Sequence, residues 1–339
     1  MNVSQPMRKH LGKLSVAALT TMAVISVASA VPGYPFTEDF TSDALKDPDT
    51  TANWDTVNVR LELGEATALT APGVLRDALG GVDDPLTSRG IALGDLDGDG
   101  DLDVVVGNEG VNTAGANNLI YVNNGTGSPF SDAPLGFGTD SGKTYDVAVG
   151  DLDLDGDLDI VAGNRSGPGV YYLNDGSADL VTDNFGDGTP FTNQNRRTWK
   201  VALVDVDQDG DLDYIEVNDG APNSLYRNLL VENNELSFDR EDKISNDSFV
   251  SRSLAIGDVN NDGDLDLITG DQNGPNRYYA WNSVGGDFFG GANVHNTSNT
   301  TFSLALADLN GDGFVDLIEG NQGAPTLVYY SDPSAPVTF

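Results

Sequence analysis

Asp95-Leu96-Asp97-Gly98-Asp99-Gly100-Asp101-Leu102-Asp103 recurs at 151–159, 205–213, 258–266 and 308–316 of a 339-residue chain. Successive copies begin 56, 54, 53 and 50 residues apart. Each follows a short alternating run: Ile91-Ala92-Leu93-Gly94, Val147-Ala148-Val149-Gly150, Val201-Ala202-Leu203-Val204, Leu254-Ala255-Ile256-Gly257 and Leu304-Ala305-Leu306-Ala307. A second apolar run follows each copy, and a third follows that, as in Leu119-Ile120-Tyr121-Val122 or Val170-Tyr171-Tyr172-Leu173. Asn123-Asn124-Gly125 and Asn174-Asp175-Gly176 supply hairpin-turn chemistry after the third. A unit of about 50 residues with three or four short strands, repeated, predicts an all-β fold, a β-propeller. Period-2 alternation puts Ala and Gly on one face of the first strand and Leu, Val or Ile on the other. Innermost strands converging on an axis require that asymmetry, because the small face admits the bulk of the next blade. The expected architecture is a closed ring of about five blades over 85–339, with a degenerate sixth possible in the segment before it.

The acidic loops dictate a cation. Positions one, three, five and nine carry oxygen in every copy: Asp95, Asp97, Asp99, Asp103; Asp151, Asp153, Asp155, Asp159; Asp205, Asp207, Asp209, Asp213; Asp258, Asn260, Asp262, Asp266; and Asp308, Asn310, Asp312, Asp316. Position six is always Gly. Position seven is Asp101, Asp157, Asp211, Asp264 or Phe314, so it is read as contributing its backbone carbonyl. Hard oxygen donors around a Gly turn suit Ca²⁺, with about six to eight ligands, better than Mg²⁺, which keeps its waters. Solvated Asp-Gly turns do not account for so many carboxylates packed together with no Lys or Arg in any loop, since their mutual repulsion needs a cation. About five Ca²⁺ ions are expected. Asp205 to Glu216 and Asp308 to Glu319 also satisfy the EF-hand pattern, but Val106, Ala162 and Thr269 stand where its Glu belongs, and the flanks read as strands. No ligand role is assigned to Glu216, so its replacement by Ala is expected to do little, whereas Asp207→Ala removes one ion's worth of stability.

Repeated Asp-x-Asp-x-Asp-Gly-x-x-Asp with an Ala-x-Gly-Asp lead-in resembles the FG-GAP or VCBS repeats, known from the propeller of integrin α subunits and from exported bacterial proteins. The resemblance covers roughly residues 88–332. It implies a Ca²⁺-binding propeller used for adhesion or carbohydrate contact, sometimes as an accessory to an enzyme. Integrin-type propellers have seven blades, and five repeats are clear here.

Working outward, residues 1–30 read as a secretory signal: Arg8, Lys9 and Lys13 precede an apolar stretch from Leu14 to Val27, and Ala28-Ser29-Ala30 fits the cleavage rule. The apolar run is shorter than the ~20 residues of a membrane span. A secreted, cell-surface or periplasmic protein is expected. Without cysteine there is no lipobox, no disulfide and no thiol-based site. Residues 31–84 lack the acidic loop and are expected to dock as edge strands or a partial blade. Phe36 to Phe40 and Trp54 to Leu63 are candidate strands, and the stretch near Val74 to Leu79 could complete the last blade's outer edge. With 53 Asp+Glu against 17 Lys+Arg and a net charge of −36, nucleic acid and anionic membrane surfaces are disfavoured as partners.

Function has three competing readings. Of the 53 acids, 22 lie in the loops and the rest form no singular pair, so no catalytic residue is assigned and an enzyme, such as a secreted glycosidase or lyase, is the alternative. His295 reads as a solvated loop histidine. A structural surface protein is a third reading. A binding module has the most specific handle: six residues before each loop stand Arg89, Tyr145, Trp199, Arg252 and Phe302, each preceded by Ser or Thr. They begin the innermost strands and should ring the channel mouth opposite the loops. Aromatic faces and guanidinium groups suit sugars and anionic saccharides. Packing wedges between blades would use the same residue types, and side-chain exposure separates the two readings. The partner expected is a carbohydrate or protein surface ligand, and the chain is read as a monomer.

Overall fold

The computed structural model describes residues 53–55, 60–62, 87–109, 117–126, 130, 133–138, 143–176, 185–239, 242–244 and 249–331. The signal segment and the candidate strands at Phe36–Phe40 and Val74–Leu79 lie outside them. The described residues fall into two units, one holding those within 87–122 and 134–331, the other those within 53–62 and 123–133. In the second unit, β1 (Asn53–Asp55) and β2 (Arg60–Glu62) pair antiparallel, Trp54 opposite Leu61. The candidate strand Trp54 to Leu63 is thus two short strands rather than one.

Among the described residues the first unit has five antiparallel sheets, one per acidic repeat, and is the expected β-propeller. The first sheet runs β3 (Ser88–Gly94), β4 (Asp103–Asn108), β5 (Asn118–Tyr121), β6 (Leu135–Phe137), and the second β7 (Thr144–Gly150), β8 (Asp159–Asn164), β9 (Val170–Tyr172), β10 (Thr189–Pro190). The third runs β11 (Thr198–Val204), β12 (Asp213–Asn218), β13 (Ser224–Tyr226), β14 (Asp242–Lys243), with a single helical turn, α1 (Leu230–Asn233), before its last strand. The fourth runs β15 (Ser251–Gly257), β16 (Asp266–Asp271), β17 (Arg277–Asn282), β18 (Asp287–Asn293). In the fifth, β19 (Thr300–Ala307), β20 (Asp316–Gln322) and β21 (Leu327–Tyr329) form the sheet. Each acidic loop joins a sheet's first strand to its second.

The cores lie between successive sheets. Ala92, Val105, Ile120 and Phe137 of the first pack on Val147, Val149, Ile160 and Tyr172 of the second. Ala148 and Val161 meet Val201, Leu203 and Tyr214 of the third. Ile215, Val217 and Leu225 meet Leu254, Leu267 and Tyr279, and Ala255 and Ile268 meet Leu304 and Leu317. The small-face rule holds at atomic level. A Cβ on Gly94 would fall 2.8 Å from Leu158 Cδ1 and 3.1 Å from Val149 Cγ2, and one on Gly150 would fall 2.6 Å from Leu212 Cδ1. Gly90 is tighter, because its Cβ would meet backbone, 2.6 Å from Asp146 Cα and 2.8 Å from Val147 N. Gly90→Ala must therefore push two sheets apart, and a loss of about 1–3 kcal/mol is expected. Urea unfolding checks it; a midpoint unchanged from the parent would refute this packing.

Two expectations need correction. Ile91 and Leu93, on the large face of β3, are 62% and 47% exposed, whereas Val147, Val201, Leu203, Leu254 and Leu304 on the equivalent faces are buried. The large face of the first sheet's innermost strand is thus less covered than its counterparts in the other sheets. The tripeptides at 123–125 and 174–176 also do not close tight hairpins, since β9 ends at Tyr172 and β10 begins at Thr189. Their Asn side chains cap local turns instead, Asn123 Oδ1 accepting from Gly125 N at 3.1 Å and Asn174 Oδ1 from Gly176 N at 3.3 Å.

Candidate functional site

The five loops share one backbone design. Positions four and six have positive φ in every copy: Gly98 (72°), Leu154 (57°), Gln208 (61°), Asn261 (61°) and Gly311 (76°), then Gly100, Gly156, Gly210, Gly263 and Gly313 at 89° to 107°. Leu154 and Gln208 occupy a conformation that side chains enter at a cost, so the rest of the loop must hold them there. The position-six N–H donates to the position-one carboxylate throughout, at 3.0 Å for Gly100 to Asp95 and 3.1 Å for Gly156 to Asp151 and Gly210 to Asp205. The same bond is 3.0 Å for Gly263 to Asp258 and 2.9 Å for Gly313 to Asp308.

Position nine is fully buried in all five loops. One oxygen of each such Asp accepts the position-two N–H, at 2.9 Å for Leu96 to Asp103 and 2.8 Å for Leu152 to Asp159. In the second to fifth loops the other accepts an N–H from the end of the third strand or just beyond it, as Asn174 to Asp159 at 2.8 Å and Asn228 to Asp213 at 2.9 Å. This Asp latches the loop to its own sheet. The amides of Asn174 and Asn228 reach further, donating at 2.8 Å to the carbonyls of Leu96 and Leu152 in the preceding loops.

Several loop oxygens have no partner. Asp95, Asp97 and Asp99 bring ligand atoms within 4.8 Å of one another, as do Asp151, Asp153 and Asp159, and Asp205, Asp207 and Asp213. Oδ1 of Asp95, Asp151, Asp153 and Asp207 is buried without a hydrogen bond. Burial first, and then the neighbouring loop carboxylates, push Asp97, Asp153 and Asp207 above the usual carboxylate range. Burial also carries Asp159 to about 7 and Asp213 to about 8. Orphaned, mutually repelling oxygens are the donor set that a hard divalent cation satisfies. In the fourth and fifth loops, Asn260 and Asn310 reduce the charge while keeping the fold, each Oδ1 accepting the position-five N–H at 2.8 and 2.9 Å. The fifth loop differs again: the N–H groups of Gly313, Gly311 and Asp312 hold Asp308 below its ordinary value.

At the other end of each innermost strand, about 20 Å away for a seven-residue strand, lies a second repeated device. A hydroxyl at the start of the first strand donates to a residue at the end of the second: Ser88 to Asn108 at 2.8 Å, Thr144 to Asn164 at 2.9 Å, Thr198 to Asn218 at 3.0 Å, Ser251 to Asp271 at 2.7 Å and Thr301 to Asn321 at 2.8 Å. The register then slips by one residue. The bulged residues are Arg89, Tyr145, Trp199, Arg252 and Phe302, and a bulge re-aims its side chain.

These five touch in blade order. Arg89 Cζ lies 5.0 Å from the Tyr145 ring, the Tyr145 and Trp199 rings meet edge-on at 4.7 Å, and Arg252 Cζ lies 4.0 Å from the Trp199 ring and 5.1 Å from Phe302. Exposure divides them. Tyr145 is 4% exposed and acts as a wedge, whereas the Arg89 side chain and Phe302 are 42% and 41% exposed. Trp199 and Arg252 lie between, and Trp199 Nε1 has no hydrogen-bond partner. Glu109 organises one end, accepting from Arg89 Nη2 at 2.6 Å and Tyr145 Oη at 3.0 Å. Burial pushes its carboxyl up, but these bonds and the charges of Arg89 and Lys143 hold it below its ordinary value. At the other end Arg252 bonds Gln272 at 2.8 Å and feels Asp219, Arg165 and Arg197. Five cations thus gather around Glu109 and Asp219 in a chain of charge −36.

Sequence reasoning missed the Ser/Thr–Asn clasps, although the Asn or Asp stands twenty residues after each Ser or Thr. It also misread His295, which is half-buried and paired rather than solvated: Nε2 lies 2.5 Å from Glu319 Oε1, and the ring stacks on Tyr329 at 4.9 Å. Glu319 is itself fully buried and also accepts from Asn276 Nδ2 at 2.6 Å. The pair joins the last two blades.

The FG-GAP-like repeat family matches this chain at residues 95–162, 151–216, 205–269 and 258–318. No curated protein matches it by sequence. Among solved structures the chain is similar to an Agrocybe aegerita lectin described as recognising non-reducing terminal N-acetylglucosamine, at 21% identity and a TM-score of 0.45 over 69% of this chain and 61% of that one. It is also similar to the V. cholerae biofilm matrix protein Bap1, at 16% identity and a TM-score of 0.39 over 69% of this chain and 35% of that one. A third is BBS1N in complex with ARL6DN, at 11% identity and a TM-score of 0.44 over 74% of this chain and 63% of that one. The chain spans less than two thirds of each.

Proposed function

The chain belongs to the family of FG-GAP-like repeat proteins, and from that premise we propose that it is an exported, calcium-binding binding or adhesion module without catalytic activity. The ions sit in the five acidic loops and rigidify one end of the sheets. The ligand meets the other end, along the row from Arg89 to Phe302. What carries this reading is the row itself: five side chains from five blades, each on a bulge, in unbroken contact. Its chemistry selects a carbohydrate bearing carboxylate or sulfate groups. Trp199 and Phe302 offer faces to sugar rings, and Arg89 and Arg252 offer guanidinium groups. Like-charge repulsion from the remainder of the protein is offset locally by the cluster of Arg89, Lys143, Arg165, Arg197 and Arg252.

Binding to a panel of neutral and acidic polysaccharides, measured with calcium present, tests it. The parent should retain acidic members and release them at high salt. Trp199→Ala and Arg252→Gln should each weaken retention about tenfold, the equivalent of about 1.4 kcal/mol, with the melting temperature preserved. Tyr145→Ala should instead destabilise the fold, as a wedge does. Equal retention by the parent and both variants would overturn the assignment.

A further inference from the structure

Blade three holds a group of carboxylates that its loop motif leaves unexplained. Asp209, Asp211 and Glu232 each bring an oxygen within 4.8 Å of the others. Asp211 stands at position seven, where the motif asks only for a backbone carbonyl and where the fifth loop manages with Phe314. It is nevertheless wholly buried. Its Oδ2 accepts the Val231 N–H at 3.1 Å, and its Oδ1 is buried with no hydrogen-bond partner. Asp209 repeats the arrangement, Oδ1 accepting the Asp211 N–H at 3.1 Å and Oδ2 buried and unpartnered.

The third carboxylate is delivered by α1. Asn228 N donates to Asp213 Oδ1 at 2.9 Å, and Asn228 Oδ1 accepts the Leu230 N–H at 3.2 Å, which starts the helical turn against the loop. Val231 then bonds Asp211, and Glu232 follows it. Among the described residues no other blade has a helix there. In blade two the equivalent Asp157 faces the turn at Gly176, where a Cβ would fall 2.1 Å from Asp157 Oδ2, so nothing comparable fits.

We propose that Asp209, Asp211 and Glu232 form an additional divalent-cation position in blade three, distinct from the ion of the loop and sharing Asp209 with it. Three carboxylates with two buried, unsatisfied oxygens are unfavourable without a counter-charge, and an oxygen-loving dication supplies one while water completes its shell. The inference rests on reading loop three as a cation site.

Bound calcium per chain, counted by equilibrium dialysis and elemental analysis of the full chain, tests it. The parent should hold one ion more than Asp211→Asn and one more than Glu232→Gln, while Asp157→Asn should hold as many as the parent. Glu232 is exposed, so its replacement leaves folding intact. If both blade-three variants hold the parental number, the extra position does not exist, although the loops stand. If Asp157→Asn also loses an ion, position seven is a general ligand and the blade-three assignment fails. A parent that holds no calcium would overturn this site together with the reading of the loops.

Discussion

Chelator added to the calcium-loaded protein should lower its melting temperature steeply. At an affinity of ~10⁻⁴ to 10⁻³ M, typical of extracellular modules, calcium at about ten times its dissociation constant stabilises by RT ln 11, roughly 1.4 kcal/mol per site. Five independent sites would contribute about 7 kcal/mol, against the ~5–15 kcal/mol that holds an ordinary domain together. The structure adds the mechanism. Without the ions, buried oxygens of Asp95, Asp151, Asp153 and Asp207 are left unpaired beside like charges, with Leu154 and Gln208 still held at positive φ. High salt should recover only part of the loss, because screening does not replace coordination. Asp207→Ala should remove one ion's share. The fifth loop, whose Asp308 carboxyl is already held below its ordinary value by backbone donors, should be least affected. Thermal unfolding with and without chelator decides it, and a melting temperature indifferent to chelator would refute the cation reading.

Glu216→Ala should be severely destabilising, which reverses the sequence-based expectation that it would do little. Glu216 is 1% exposed. Its carboxylate accepts from Thr198 Oγ1 and Tyr214 Oη at 3.3 Å, from Asn218 Nδ2 at 3.3 Å and from Tyr226 Oη at 3.4 Å, and it lies 3.5 Å from Arg196 Nε. Arg196 is only 7% exposed. Removing the carboxylate takes the counter-charge from a buried guanidinium and an acceptor from two buried phenols, a loss of about 3–5 kcal/mol. For a domain of this size that is roughly 6–20 °C in melting temperature. Glu216→Gln, which keeps an acceptor in place, should cost less than the alanine. Calorimetry of both variants measures this; an alanine variant as stable as the parent would show that the network contributes nothing.

The misreading of Glu216 marks where sequence stops being informative. Features written locally were legible: the spacing of the Asp residues, Gly at position six, and alternating small and large residues in each first strand. The start of the innermost strands at Arg89, Tyr145, Trp199, Arg252 and Phe302 was legible too. Features that depend on which chain segment lies opposite were not. Glu216 and Glu319 look like surplus members of an acidic run until Arg196 and His295 are brought against them from the segments that precede their sheets' first strands. Asn174 looks like a turn residue until its amide meets the carbonyl of Leu96, 78 residues earlier. The exposed face of β3 likewise depends on what adjoins it, which no single repeat encodes.

The bulges separate what builds the molecule from what it touches. A Ser or Thr, its Asn or Asp partner across the strand pair and the slipped register set the backbone at each of the five positions. The residue in the bulge takes no part in that clasp. Arg, Tyr, Trp, Arg and Phe already occupy one and the same backbone slot. Arg89 and Phe302, at the two ends of the row and each about two-fifths exposed, can therefore be exchanged with little penalty to folding. A lineage of such proteins could reprogram its partner by changing single codons at these slots, and a designer could treat them as interchangeable cartridges on a fixed chassis.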